Sequence, residues 1–166
     1  MGRLAWINTR LASGLVLMAA IGSGIVAGVF FAFSSFVMAA LGRISPTQAV
    51  AAMNSINVTA VNPGFMTPFV GAGVLSLVVG IRSPFLWNHT GTGLVLLASL
   101  VYLLGCFAAT IFLNVPLNNQ LASITDPAAA IAFWPRYLKA WTIWSHLRTI
   151  AAALSAVLFT TALCRS

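Results

Sequence analysis

The feature that most constrains this chain is a set of four long apolar stretches, none with a charged residue at its centre. They cover residues 11–41, 65–81, 91–113 and 147–164. A helix needs roughly 17–25 apolar residues to cross a bilayer, and lipid tolerates only helices or closed barrels as spanning structures. The sequence therefore predicts an all-α fold, a bundle of four transmembrane helices.

The low content of charged residues supports the same conclusion. Charged residues make up 5% of the chain and hydrophobic residues 60%, whereas an ordinary soluble domain is about 25% charged. We therefore expect residues 1–166 to form one integral membrane domain. Arg3 and Arg10 precede the first stretch as in a secretory leader, but the apolar part of a leader has only about 7–15 residues. We therefore expect an uncleaved first span.

The net charge of +7 comes from basic residues that are scattered singly near the ends of the predicted helices. Lysine and arginine in such positions are typical of membrane interfaces, so we expect no nucleic-acid partner. Four spans place both termini on one side, called side A, and the longer connections 42–64 and 114–146 on the other, called side B. Basic residues are balanced between the sides, although Arg3 and Arg10 favour cytoplasmic termini. We expect a multi-pass protein of the plasma membrane.

The first side-B connection contains a predicted amphipathic helix, from Pro46 to Val61, lying at the membrane interface. Ser45 is a favourable N-cap residue, and proline is favoured directly after it. At about 100° per residue, Asn54 and Asn57 lie opposite the polar face of this helix and should point into the bundle. Because buried amides need partners, they either make structural hydrogen bonds or form the wall of a polar pocket.

The second side-B connection is predicted to interrupt the helices. Val115 precedes Pro116, which favours the end of the third helix at that point. Asp126 and Pro127 then begin a short separate segment, and the fourth span follows from Leu147.

Residues 137–149 carry the most chemically varied side chains of the chain. Their aromatic residues are typical of the belt at a membrane interface. Helical spacing also predicts one shared stripe, which consists of Tyr137, Trp141, Ser145 and Arg148, with Trp144 at its edge. His146 lies about 200° from Arg148, so the two cannot face one small pocket on a continuous helix.

The sequence predicts no metal ion and no other cofactor. The histidines, His89 and His146, fall on opposite sides of the membrane, and Cys106 and Cys164 fall at different depths. Asp126 is the only acidic residue, and there is no glycine-rich phosphate loop.

Several short motifs spread along the chain resemble those of a known family. They are Phe33-Ser34-x-Phe36-Val37-Met38, Asn57 with Asn62 and Phe65-Met66, Asn114-x-Pro116-Leu117-Asn118, and Trp141-x-x-Trp144-Ser145-His146-x-x-Thr149 with Arg148. On these motifs the chain resembles the anthrone-oxygenase-like family of small four-helix membrane proteins, many of which have no known activity. Ser145 departs from the pattern, in which an asparagine is expected.

The resemblance implies a cofactor-independent oxygenase that converts a tricyclic anthrone, or another flat phenolic substrate, to a quinone with O2. Such chemistry needs a base, donors that stabilise an oxyanion, and an apolar slot. The candidate catalytic residues are His146, whose imidazole suits proton transfer near neutral pH, and the oxyanion donors Arg148, Asn114 and Asn118. The candidate substrate-binding residues are Trp141, Trp144, Asn54, Asn57, Asn62 and Tyr137.

A different class of function stays open, namely a non-catalytic membrane protein that acts as a subunit, chaperone or packing module. A proton-coupled exporter is disfavoured, because such transporters use intramembrane carboxylates. An enzyme would line a slot with the asparagines and tryptophans, whereas a packing module would bond these groups to each other. The expected partners are membrane lipid, an aromatic small molecule and O2, and the sequence is compatible with a homo-oligomer.

Overall fold

A computed structural model describes the backbone of residues 2–86 and 91–165 and the side chains of residues 11–85 and 91–165. These ranges are mostly helical and contain no strand, which confirms the all-α prediction. The prediction for His89 lies outside the described residues. The α-helices are α1 Gly2–Ala32, α2 Met38–Leu41, α3 Pro46–Thr59, α4 Pro63–Arg82, α5 Thr92–Leu100, α6 Val115–Ser123 and α7 Pro127–Cys164.

Turns of other helix types continue these α-helices. Phe33–Val37, Val101–Ala108 and Thr110–Asn114 are π-helical, and Ser83–Leu86 is a 3₁₀ turn. The first π turn joins α1 to α2, and the other two join α5 to α6. Each of these pairs therefore forms one long helical rod.

Four helical stretches of the described chain are long and apolar enough to cross a membrane. They are span one Leu11–Leu41, span two Pro63–Phe85, span three Thr92–Ser123 and span four Pro127–Cys164. Each span has large apolar side chains on its outer face, and one from each, Leu17, Val74, Leu104 and Val157, is between 49% and 66% exposed. Such an apolar exterior fits lipid and not water. The chain is therefore an integral membrane protein, as predicted.

The spans pack as a closed ring, in which span one contacts spans two and four, and span three contacts the same two neighbours. Three layers of buried apolar residues fill the ring. The side-A layer lies around Phe159, and the middle layer around Phe30 and Tyr102. The side-B layer lies around Tyr137 and Trp141, and α3 contributes to it. The polar residues of interest lie at the middle and side-B layers.

The structure corrects two predicted helix boundaries. Span three does not end at Val115, because α6 continues it through Pro116 to Ser123. Pro116 lies in the first turn of α6, directly after a π turn, where the missing N–H removes no α-helical hydrogen bond. Span four begins at Pro127 and not at Leu147, so the expected separate segment is the first part of α7.

Helix α7 starts early because Asp126 caps it. The Asp126 carboxylate accepts hydrogen bonds from the backbone N–H groups of Ala128 at 3.0 Å and Ala129 at 3.3 Å. The helix then continues through Pro135. Its 38 residues correspond to a length of about 57 Å, against a hydrocarbon core of about 30 Å. The beginning of α7 therefore projects from the lipid on side B.

The short helix predicted between spans one and two is present as α3, Pro46–Thr59, and ends slightly before the predicted residue. Ser45 caps it, since its Oγ accepts a hydrogen bond from the backbone N–H of Gln48 at 3.4 Å. Asn54 and Asn57 are half-buried, and Oδ1 of Asn54 and Nδ2 of Asn57 are fully covered. The two amides therefore point into the bundle, as predicted.

Candidate functional site

The predicted stripe on α7 lines the side-B half of the bundle. Its members, Tyr137, Trp141, Ser145 and Arg148, are all buried, which confirms the argument from spacing. They follow one another at intervals of three or four residues and so share one helix face. The helix that carries them packs against the π turns of spans one and three.

The π turns are a feature of this region that sequence reasoning missed. Phe33–Val37 in span one, and Val101–Ala108 with Thr110–Asn114 in span three, pack against α7. A π turn inserts a residue into an α-helix, and such turns are frequent at functional sites. Pro116, directly after the last π turn, was the available signal, because a proline in a long apolar helix marks local departure from α-geometry.

Asn118 connects span three to span four through two hydrogen bonds. Its Oδ1 accepts one from the Tyr137 hydroxyl at 2.8 Å and another from the Trp141 indole N–H at 2.9 Å. One turn earlier, Nδ2 of the buried Asn114 donates to the Trp141 backbone carbonyl at 3.3 Å. The structure therefore brings together four of the predicted site residues.

Replacing Asn118 by alanine should lower the free energy of unfolding by about 1–3 kcal/mol, because the Tyr137 hydroxyl and the Trp141 N–H lose their shared acceptor. Thermal unfolding in detergent, followed by circular dichroism, measures the effect. Asn119→Ala is the matched control, since Asn119 is exposed. Equal melting temperatures for the two variants would show that the Asn118 bonds contribute nothing.

Arg148 is buried inside the bundle with only 3% of its surface exposed. Its guanidinium carbon lies 4.0 Å from the centroid of the Phe30 ring and 4.9 Å from that of Trp141. Cation–π contacts of this kind offset part of the cost of burying the charge. Two aromatic rings, from span one and span four, therefore hold the guanidinium in place.

The charge of Arg148 has no counter-ion among the described residues. The one acidic side chain of the sequence, Asp126, is exposed and caps α7. Both Nε and Nη2 of Arg148 are buried and make no hydrogen bond to any group of the described chain. A buried charge without a partner is strongly unfavourable in a protein interior. Burial of Arg148 therefore lowers the stability of the folded protein, and no hydrogen bond or ion pair among the described residues compensates for this cost.

Further polar atoms of the side-B half are also buried without a hydrogen bond within the residues that the structure describes. They are Asn114 Oδ1, Ser145 Oγ, Asn54 Oδ1 and Asn57 Nδ2. Buried polar groups are nearly always hydrogen-bonded, so each exception requires an explanation. Unpaired donors and acceptors in the same half of the bundle as a buried cation are groups that a polar ligand would satisfy.

Comparison with protein families matches residues 57–158 to the family described as anthrone oxygenase. The matched region is more than half of the chain and contains Asn57, the asparagines of span three and the α7 stripe. The chain belongs to the anthrone oxygenase family. The family resemblance is thus confirmed, although the Phe33–Met38 motif lies before the match. Comparisons with curated proteins and with solved structures find no significant match.

The candidate base of this anthrone oxygenase family member, His146, does not lie in the buried cluster. This cluster consists of the residues joined by the contacts above, namely Asn114, Asn118, Tyr137, Trp141 and Arg148. Its side chain is exposed on the outer face of α7, whereas Arg148 is buried. The two side chains lie on different faces of α7, as their spacing predicted. The reason is helical periodicity, because a separation of two residues on a continuous helix turns the side chain by about 200°.

Two further predicted residues lie away from the buried cluster. Asn62 is exposed in the turn before α4, where its Oδ1 accepts from the Phe65 N–H at 3.2 Å and its Nδ2 donates to the Thr59 carbonyl at 2.7 Å. Its amide therefore serves as a helix cap. Trp144 is half-buried at the edge of the stripe, as expected from its spacing.

Tyr102 and Cys106 are buried residues of span three that sequence reasoning did not select as site residues. Both are 0% exposed, and the Tyr102 hydroxyl donates to the Phe69 carbonyl at 2.9 Å. Cys106 is close enough to Arg148 to interact electrostatically. Their spacing of four residues on span three was the available signal. The described ranges contain no group of three or more histidine, cysteine or acidic residues that could hold a metal ion.

Proposed function

We propose that this protein is a membrane-embedded oxygenase that oxidises an anthrone-type or other flat phenolic substrate with O2. The observation that carries the proposal is the buried guanidinium of Arg148, with two N–H donors free, against the rings of Phe30 and Trp141. Membership of the anthrone oxygenase family supports the same chemistry. Substrate would reach the site from the lipid, since apolar aromatic molecules partition there.

The reaction begins with loss of a proton from the methylene carbon of the anthrone. The resulting anion is aromatic and carries its charge mainly on the former carbonyl oxygen. Donors that are already oriented towards this oxygen stabilise the charge as it forms, without reorganisation of solvent. Arg148 and the amide Nδ2 of Asn57, whose donors are unpaired, are the groups that we assign to this role. The proton passes to water, since His146 is on the outer face of α7.

The anion then reacts with O2 at the deprotonated carbon. One C–O bond forms, and protonation of the terminal oxygen gives a hydroperoxide. Loss of water from this hydroperoxide, with the remaining hydrogen of the same carbon, forms the second carbonyl. One anthrone and one O2 thus give one anthraquinone and one H2O, and the substrate itself supplies all the electrons. We propose that no metal or flavin takes part.

The hydrogen bonds of Asn118 favour the alternative function, in which the protein is a non-catalytic packing module. Asn118, Tyr137 and Trp141 bond to each other, as expected for structural packing. Arg148 does not fit that function, because its free donors make the fold less stable without a compensating bond. We therefore assign different roles to these residues. Asn118, Tyr137 and Trp141 hold spans three and four together, whereas Arg148 takes part in the chemistry.

Oxygen uptake by the purified protein with a panel of anthrones tests the proposal. Because anthrones also oxidise without a catalyst, rates are compared with protein-free samples and with the Arg148→Gln variant. We expect uptake above both references, unchanged by a metal chelator. His146→Ala should keep the wild-type rate to within about twofold, because His146 does not face the site. A loss of activity in His146→Ala, together with full activity in Arg148→Gln, would overturn this assignment.

A further inference from the structure

The two free nitrogens of Arg148 belong to one edge of its guanidinium group. Nε–H and one N–H of Nη2 point in parallel on the same side of the planar group, and both nitrogens are buried without a partner in the described ranges. Such an edge forms two parallel N–H···O bonds with a planar pair of oxygens. A ligand with a single oxygen would leave one of the two donors unpaired.

The surroundings of Arg148 determine which kind of ligand body fits beside it. The Phe30 and Trp141 rings lie over the guanidinium, so its flat surface is occupied by protein. The Nε–Nη2 edge lies in the plane of the group, and no described residue pairs with it. The neighbouring Phe33 ring, 5.5 Å from that of Trp141, adds apolar surface on the side of span one. A ligand that fits these walls has a flat aromatic body.

We infer that the Nε–Nη2 edge of Arg148 is a recognition site for a planar pair of oxygens carried on an aromatic ring. Two kinds of molecule have this chemistry, namely an aromatic carboxylate and a ring ketone with an ionised hydroxyl beside it. For the second kind of molecule, the inference rests on the proposed function, because the ring ketone would then belong to the substrate that the protein oxidises. The first kind does not depend on turnover, since a carboxylate would bind as a ligand that is not oxidised.

Isothermal titration of the purified full chain in detergent tests the inference, with 1-naphthoate as the probe. Naphthalene-1-carboxamide and 1-naphthol are the matched probes, because each has the same ring system and only one strong acceptor oxygen. We expect 1-naphthoate to bind at least tenfold more tightly than either. Equal affinity for 1-naphthoate and 1-naphthol, or no binding of 1-naphthoate to the folded wild type, would overturn the inference.

Variants of Arg148 separate the shape of the edge from its charge. Arg148→Lys keeps the charge but has no planar fork, so we expect a loss of affinity for 1-naphthoate of at least tenfold. Arg148→Gln should remove the selectivity for 1-naphthoate over 1-naphthol. Arg136→Gln, an exposed arginine of the same helix, is the matched control and should bind as the wild type does. Wild-type affinity in a folded Arg148→Lys variant would show that only a point charge is recognised.

Oxygen uptake distinguishes failure of the inference from failure of the proposed function. The comparison uses anthrone, which has one carbonyl oxygen, and 1-hydroxyanthrone, which has a hydroxyl beside it. We expect the hydroxylated substrate to react at least tenfold faster. Equal rates that depend on Arg148, with no binding of 1-naphthoate, would leave the oxygenase in place and refute the two-oxygen site. Selective binding of 1-naphthoate without any oxidation would do the reverse.

Discussion

Replacing Arg148 by methionine should stabilise the protein and abolish its oxygenase activity. Methionine has a similar length and no charge, so it fills the space between Phe30 and Trp141 without an unpaired cation. Replacement of buried ionic groups by apolar residues of similar volume raises the free energy of unfolding by up to about 1–4 kcal/mol. Loss of one preorganised oxyanion donor typically lowers the rate about 100- to 1,000-fold.

Unfolding in detergent and oxygen uptake, measured on the same preparation of Arg148→Met, check the two effects together. Arg136→Met is the control, because an exposed arginine on the same helix should change neither quantity appreciably. A clear loss of stability in Arg148→Met would contradict the expectation. In that case the guanidinium contributes favourably to the fold, and the argument that it is kept for chemistry would fail.

Replacing Trp141 by alanine should cause the largest loss of stability on side B. Its ring lies 5.5 Å from Phe33 and 4.9 Å from the Arg148 guanidinium carbon, and its N–H donates to Asn118. Removing a large buried aromatic side chain from a core costs about 3–5 kcal/mol. The cavity would also free Arg148 to change its orientation, so oxygen uptake should fall as well.

Trp141→Phe separates the ring from its hydrogen bond. Phenylalanine keeps an aromatic surface over Arg148 but cannot donate to Asn118, so the expected loss is about 1 kcal/mol, as for one hydrogen bond. Differential thermal unfolding of the two variants measures the difference. If Trp141→Phe is as destabilised as Trp141→Ala, the hydrogen bond to Asn118, and not the packing of the ring, is the main contribution of this residue.

The sequence by itself determined the architecture of this protein. Four uncharged apolar stretches with few charged residues elsewhere can only be buried in lipid, and lipid requires helices. The sequence also predicted the start of α3 at Ser45 and Pro46, because helix capping depends only on neighbouring residues of the chain. Helical periodicity placed Tyr137, Trp141, Ser145 and Arg148 on one stripe and His146 opposite them, and the structure shows that this stripe is buried.

The tertiary structure decided which of the polar side chains meet. Pro116 does not end span three, because a π turn precedes it, and helix type depends on the packing of neighbouring spans. The same packing brings Phe30 of span one over Arg148 of span four, a contact between residues far apart in the chain. Whether a buried cation finds a counter-ion depends on all the elements around it. The sequence could therefore predict that Arg148 shares a helix face with Tyr137 and Trp141, but only the assembled bundle shows that its Nε–Nη2 edge has no partner among the described residues.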